Sequence, residues 1–298
     1  MRRIFIVIIG LFFQVLAHAS TYVYHDGRET VSRVLSLSLS ASTNRDIPAL
    51  RSPDKQLIDG DLIITVGRDS FVQVCDVEQQ VVLIALFLGE EEYSQLKQQC
   101  SKPTTAIFSG APISLRLNIL NTFWEDQAPI GIIYSEGLDV SNETLGVTED
   151  TRFEILTSAI PLGSREEKIK SLTSVLDRSN LVLSLYDSML FNAQFSKDAI
   201  RLMFHKKKSL AAHSLQLVRA GALFSVYSTS QDKMALTSSY INVFEASATL
   251  MPSSYPSPLK VAFNPYLIRM YGLVLPTDQF LMDKFGVCPE SGCQKAFY

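Results

Sequence analysis

The chain has 298 residues, 47% of them apolar and 19% charged, which is enough apolar matter for two cores and excludes an intrinsically disordered chain. Its formal net charge of −3 lacks the basic field that a nucleic-acid partner requires, so none is expected.

Arg2 and Arg3 precede an apolar run at residues 4–16, and Ala17-His18-Ala19 follows it. A charged start, a short apolar middle and a small-x-small end make a secretory signal peptide, with cleavage expected after Ala19. The run is shorter than the 20 or so residues of a spanning helix. Residues 1–19 are therefore expected to direct export to the periplasm, an uncleaved anchor being the alternative. All four cysteines lie beyond this segment: Cys75, Cys100, Cys288 and Cys293. An even count in an exported chain suggests disulfides. Cys288 and Cys293 flank Pro-Glu-Ser-Gly, a turn-forming insert that suits a small closed loop, which leaves Cys75 with Cys100. The spacings fit no zinc pattern, so no metal is expected.

Residues 22–25 form a short strand-like run. Residues 27–40 are ambiguous, because Val31, Val34 and Leu35 fit a helix face while Leu-Ser-Leu-Ser alternates like a strand. Residues 41–60 read as a loop. Residues 62–66 and 81–88 are continuous apolar runs, suited to strands of a parallel sheet buried on both faces. Residues 90–99 read as a polar helical connection and 106–108 as a short strand. Pro112 opens a helical pattern with apolar residues at 113, 117, 120 and 124. Strands are predicted at 130–134 and 153–160. Ser164 and Glu167 form a capping box for a helix reaching Arg178, with Ile169, Leu172 and Leu176 as its apolar stripe. A strand over 181–186 ends at Asp187, and a helix over 195–204 ends in three lysines that suit the negative pole of its C-terminus. Residues 209–229 hold two apolar strand runs, 210–212 and 222–227, joined through Gly221. A helix over 230–248, with Met234, Ile241 and Phe244 on one face, leads to a proline-rich connection at 251–258. After a strand at 261–263, Asn264 caps a helix with Pro265 in its first turn and Gly272 past its end. Another short helix closes the pattern before residue 286. Asn142-Glu143-Thr144 also fits the glycosylation acceptor pattern.

Strands thus alternate with helices twice over, which predicts an α/β protein of two doubly wound lobes joined by a hinge. The expected division puts 20–115 with about 249–272 in the first lobe, and 116–248 with about 273–298 in the second.

Val218-Arg219-Ala220-Gly221-Ala222-Leu223-Phe224-Ser225-Val226-Tyr227-Ser228 following His213-Ser214, Val261-Ala262-Phe263-Asn264 with Tyr271-Gly272-Leu273 and Pro276, and Pro112-Ile113-Ser114-Leu115-Arg116-Leu117 are similar to segments of a known family. The chain resembles the substrate-binding proteins of bacterial ABC importers with the type 1 periplasmic-binding fold, best over residues 130–276. The resemblance implies a small molecule held between two lobes, closure on that ligand, and docking to a membrane permease. It also implies a strand, a helix and a second strand before residue 62; that second strand is not visible in the sequence.

In open α/β sheets ligands sit beyond the carboxyl ends of the strands. The candidate positions are therefore Arg68, Asp69, Phe87 to Gly89 and Ser109 to Ala111 in the first lobe. In the second they are Ser135, Glu136, Asp187, His213, Tyr227 and Ser228. Asp187 or Glu136 would bind a ligand ammonium, Arg68 would clamp a carboxylate, and Tyr227 or Phe87 would cover an apolar group. Together they suit an amino acid or a similar small polar metabolite. Each position has a structural reading beside this one: Asp187 as a cap, Arg68 and Asp69 as a surface turn, Phe87 as core, and His213 as a hydrogen-bonded core histidine. The sequence contains no G-x-S-x-G elbow, P-loop, H-E-x-x-H or G-x-G-x-x-G. No enzymatic activity, catalytic residue or cofactor is expected, and a monomer is. The alternative to transport is a module, ligand-sensing or ligand-less, that reports to a membrane signalling protein.

Overall fold

The computed structural model describes residues 19–53, 57–141, 145 and 152–293. The signal segment up to residue 18 and the Asn142 acceptor pattern lie outside these residues.

The first sheet is built from β1 (Thr21–Tyr24), β2 (Ala49–Leu50), β3 (Leu62–Val66), β4 (Val82–Leu86) and β5 (Thr104–Ile107). Its order is β2-β1-β3-β4-β5, and every pairing is parallel. Helices α1 (Glu29–Thr43), α2 (Arg68–Cys75) and α3 (Glu90–Gln99) connect its strands. The ambiguous 27–40 segment is helical because its burial has helical period: Ser32, Leu35, Ser36 and Leu39 face the core, while Leu37 is 66% exposed. The serines do not penalise that face, since Ser36 Oγ donates to the Ile47 carbonyl at 2.6 Å. The second strand hidden in the expected loop is β2, two residues long and paired through Val23 with Ala49 and Tyr24 with Leu50. It is too short to leave a periodic signal.

The second sheet contains β6 (Ile130–Ser135), β7 (Ile155–Ile160), β8 (Leu181–Ser184), β9 (Ser209–Ala212), β10 (Phe224–Tyr227), β11 (Leu259–Phe263) and β12 (Val287–Pro289). The order is β12-β11-β10-β9-β8-β6-β7, parallel except that β11 meets β10 antiparallel. Helices α5 (Arg165–Leu176), α6 (Ala193–Lys206) and α7 (Leu215–Ala220) are its crossovers. Three further helices are α4 (Ile113–Leu120), α9 (Pro265–Tyr271) and α10 (Asp278–Phe285). Trp124 is core here, edge-on to Tyr271 at 5.9 Å.

The expected capping box opens α5, with the Glu167 amide donating to Ser164 Oγ at 3.2 Å and the Ser164 amide to Glu167 Oε2 at 2.7 Å. Asn264 caps α9 through the amides of Tyr266 and Leu267. Ser164→Ala should cost about 1 kcal/mol, read as a melting midpoint lower by about 2–4 °C; an unchanged midpoint would show that the cap adds nothing to this helix.

The crossings between lobes differ from the expected division. Helix α8 (Ser230–Ser247) packs in the first lobe, where Met234, Tyr240 and Ile241 join Val23, Leu35 and Leu39. Strand β11 and helix α9, expected with the first lobe, belong to the second sheet and its core. The chain therefore crosses after β5, after β10, and again between α8 and β11. On the last crossing Ser254 bridges to Ile107 in parallel and so extends the first sheet. Packing decides this: α8 covers the β3–β4 face that α1 alone leaves open, and β11 pairs with an edge that β10 would otherwise expose.

Cys75 bonds to Cys100 and Cys288 to Cys293, as the spacing suggested. No helix among the described residues is long and apolar enough to cross a membrane.

Candidate functional site

The carboxyl ends of the two sheets face each other, and α3 forms much of the first lobe's wall. Gly89 precedes α3. A Cβ placed on it would lie 2.3 Å from the Tyr186 carbonyl oxygen across the cleft. Gly110 follows β5 at φ +79°, where a Cβ would lie 3.4 Å from Tyr186 Cβ. Glycine suits both places, since backbone meets backbone at the first and φ is left-handed at the second. Tyr186, just past β8, thus fills the middle of the cleft. Its ring lies edge-on to His213 at 5.1 Å.

Two hydrogen bonds close one side of the cleft: Ser188 Oγ donates to Glu92 Oε1 at 2.7 Å, and Gln95 Nε2 donates to the Gly137 carbonyl at 2.6 Å. Between these contacts lies a cavity of about 160 Å³ that Arg68, Glu92, Gln95, Ser135 and Glu136 help to line. Three atoms on these residues, Glu92 Oε2, Gln95 Oε1 and Ser135 Oγ, are buried without a hydrogen-bond partner. Such orphans are uncommon in native interiors and mark a place where a partner belongs. Arg68 Nε lies 3.7 Å from Glu92 Oε1.

The electrostatics follow from burial. Glu92 is pushed up to about 7, chiefly by desolvation, with the Ser188 bond and Arg68 opposing and Asp187 adding to the rise. Its neighbour Glu91 is raised to about 6, again chiefly by desolvation. Arg116 on α4 is buried beneath the cleft and donates to the carbonyls of Ser184 at 2.6 Å and Ala211 at 2.7 Å, at the ends of β8 and β9. Desolvation lowers it to about 10, and Glu91 partly opposes that. Arg116 thus anchors the crossing helix to the second sheet.

The candidates from the sequence separate on this geometry. Arg68 and Glu136 line the interlobe cavity, and Glu136 Oε1 also accepts from the Leu162 amide at 2.8 Å. Asp187 serves as a cap: Oδ2 accepts from the Ser135 amide at 2.5 Å, and Oδ1 from the amides of Met189 and Leu190. His213 is a buried histidine whose Nδ1 pairs with Ser184 Oγ at 2.9 Å. Desolvation, helped by Arg116, lowers it to about 3, so it is neutral at pH 7. Phe87 lies under the Lys233 ammonium, 5.7 Å from the ring centroid, and Ser109 is buried beside Gly110. Tyr227 packs with Val218 and Ala262, apart from the cavity. Asp69 is exposed.

Sequence reasoning missed Glu92, Gln95, Arg116, Tyr186 and Ser188. One signal was present for the glutamate: α3 opens with three successive glutamates directly after β4, which puts carboxylates at the mouth of a strand. Among the described residues no group of three His, Cys, Asp or Glu could hold a metal ion.

No protein-family model and no curated protein matches the sequence. Solved structures do match in fold. An ABC domain in complex with L-Trp from Streptococcus pneumoniae superposes with a TM-score of 0.67 at 15% identity, over 91% of this chain and 99% of that one. The chain has the two-lobed periplasmic-binding fold. A conserved domain protein from Vibrio cholerae shares it with a TM-score of 0.64 at 10% identity, over 91% of this chain and 99% of the other. A substrate-binding protein with adhesive properties from Clostridium difficile, in its ligand-free open form, gives 0.61 at 12% identity, over 91% and 98%. Two α/β lobes with three crossings and a cavity between their carboxyl edges are what this fold contributes here.

Proposed function

We propose that the protein is an extracytoplasmic solute-binding protein that captures a small polar metabolite between its lobes. The observation that carries this reading is the interlobe cavity lined by Arg68, Glu92, Gln95, Ser135 and Glu136, three of which hold a buried side-chain oxygen without a hydrogen-bond partner. These acceptors suit a protonated amine, and Arg68 on the same wall suits a carboxylate. An amino acid or a similar small zwitterion carries both groups. The L-Trp bound to the Streptococcus pneumoniae domain supports the amino-acid class. The cavity's 160 Å³ is below the usual range of about 300–1,000 Å³ for ligand pockets, which favours a solute smaller than tryptophan.

A ligand touching both lobes only in the closed form shifts the population towards closure. A membrane permease of an ABC importer would read that closed form, and export behind residues 1–19 would place the protein in the periplasm with it. Backbone of one lobe meets backbone of the other directly at Gly89 and Tyr186, which leaves no room for a solute at that place. That contact favours a second reading, a ligand-less or sensing module that reports to a membrane signalling protein.

A thermal-shift screen separates the two. The panel holds amino acids, other small amines, organic acids and sugars, and the protein is first partly unfolded and refolded to strip any carried solute. A small amine-bearing solute at 100 times its dissociation constant should add about 2.7 kcal/mol to stability. A panel without any shift would move the assignment to the ligand-less reading.

A further inference from the structure

The second lobe carries a groove of about 1330 Å³ between α6, α7 and α9 that reaches Tyr186 and Ser188 at the edge of the cleft but shares no lining residue with the interlobe cavity. Met203, Leu210 and Leu217 form its buried floor. Phe204, Tyr266 and Met270 line it while remaining 61%, 59% and 46% exposed. Single apolar side chains on a surface need no explanation, but three large ones facing one concavity make a patch that marks a binding surface. Ile200, Met203 and Phe204 follow the i, i+3, i+4 spacing of one helix face, and Lys207 lies just past the helix at its left-handed C-cap, so α6 turns an apolar stripe into the groove.

The rim is basic. Lys197, Arg201, Lys207 and Lys208 line the groove against one acid, Asp187, in a chain whose net charge is −3. Asp187 is fully engaged by three backbone amides. Arg201 feels Asp198, which Arg165 already holds through both carboxylate oxygens. The α7 wall adds Ser214, Gln216 and Ala220, without charge. Helix α6, with 14 residues, is about 21 Å long at 1.5 Å per residue, enough to lie beside an extended long acyl chain.

We propose that this groove binds a single-chain anionic amphiphile of the fatty-acid class, its acyl chain between Phe204 and Met270 and its carboxylate on the basic rim. The occupant follows from volume, apolar lining and charge taken together. A short polar solute would leave the exposed aromatic and methionine side chains in water. A membrane surface would need them on a protruding face, whereas they line a concavity. The site is separate from the interlobe cavity and stands whether or not that cavity takes a solute.

The test is calorimetric titration of the delipidated protein with palmitate below its micellar concentration. One saturable site is expected. Each methylene removed should weaken binding about fourfold, so laurate should bind more than a hundredfold more weakly. Hexadecanol, with the chain but not the charge, should bind at least tenfold more weakly than palmitate. The exposed double reversal Lys197→Glu with Arg201→Glu should weaken palmitate at least tenfold, and Ala220→Trp should block it. If Ala220→Trp does not fold, Phe204→Asp at an exposed position gives the same reading. Absence of saturable palmitate binding, hexadecanol binding as tightly as palmitate, or an acidic amphipathic peptide binding where palmitate does not, would each overturn the proposal.

Discussion

Gly89→Val is expected to hold the two lobes apart and to weaken solute capture by up to about a hundredfold. In the closed form the added Cβ would sit 2.3 Å from the Tyr186 carbonyl oxygen and 3.2 Å from its carbonyl carbon. Both atoms belong to the backbone just past β8, so no side-chain rotation relieves the clash. Gly89 itself has φ −76° and ψ 162°, ordinary values for any residue, so the open form carries no strain. The variant should therefore fold with a near-unchanged midpoint. Overpacking of a tight contact costs about 1–3 kcal/mol or more, and the upper end corresponds to about a hundredfold in affinity. Small-angle scattering reads the lobes directly: the variant should keep an open radius of gyration at solute concentrations that close the wild type. Closure of Gly89→Val at the same solute concentration would mean that the bound form does not use the Tyr186 contact, and the clamp described here would be wrong.

Glu92→Gln should remove a pH dependence of closure. Glu92 stands at about 7 in the closed form against 4.5 for the free group, raised chiefly by desolvation. A carboxyl raised in this way favours the closed form below pH 4.5, and that contribution is lost as pH rises through 7. At 1.36 kcal/mol per unit, the swing is about 3 kcal/mol, or over a hundredfold in the closed-to-open ratio. The unliganded wild type should open between pH 5 and 8. An amide in place of the carboxyl still accepts from Ser188 Oγ and carries no charge to desolvate in the closed form. Glu92→Gln should therefore stay closed across the same range, and it should bind an amine-bearing solute more weakly at pH 8, where the wild-type carboxylate is charged. Scattering profiles at pH 5 and pH 8 for both proteins decide the matter. Equal opening in both would assign the pH response to another group, Glu91 first among them.

These expectations rest on contacts the sequence does not display. Glu92, Ser135 and Tyr186 are far apart in the chain, and their meeting depends on how two separately formed sheets face each other. Asp187 shows the same limit from the other side. A carboxylate past a strand end reads equally as a ligand group or a cap, and only its three amide partners decide for the cap. His213 likewise needed its burial and its Ser184 partner before it could be read as neutral.

What the sequence determined by itself is what neighbours along the chain control. The buried runs that became β3 and β4, the capping box at Ser164, the Asn264-Pro265 helix start and the two cysteine pairs all depend on residues within a few turns or on simple pairing. The resemblance carried the two-lobed architecture, which the fold bears out. Tertiary structure alone decided three things. It chose helix over strand for the Leu-Ser alternation of α1, because Leu35 and Leu39 had a core to enter while Leu37 did not. It made a strand of Ala49 and Leu50 by pairing them with β1. It sent α8 to the first lobe and β11 to the second, because a helix joins whichever apolar face is uncovered and a strand whichever edge is unpaired. Local patterns fix the kind of element, and long-range burial fixes its neighbours.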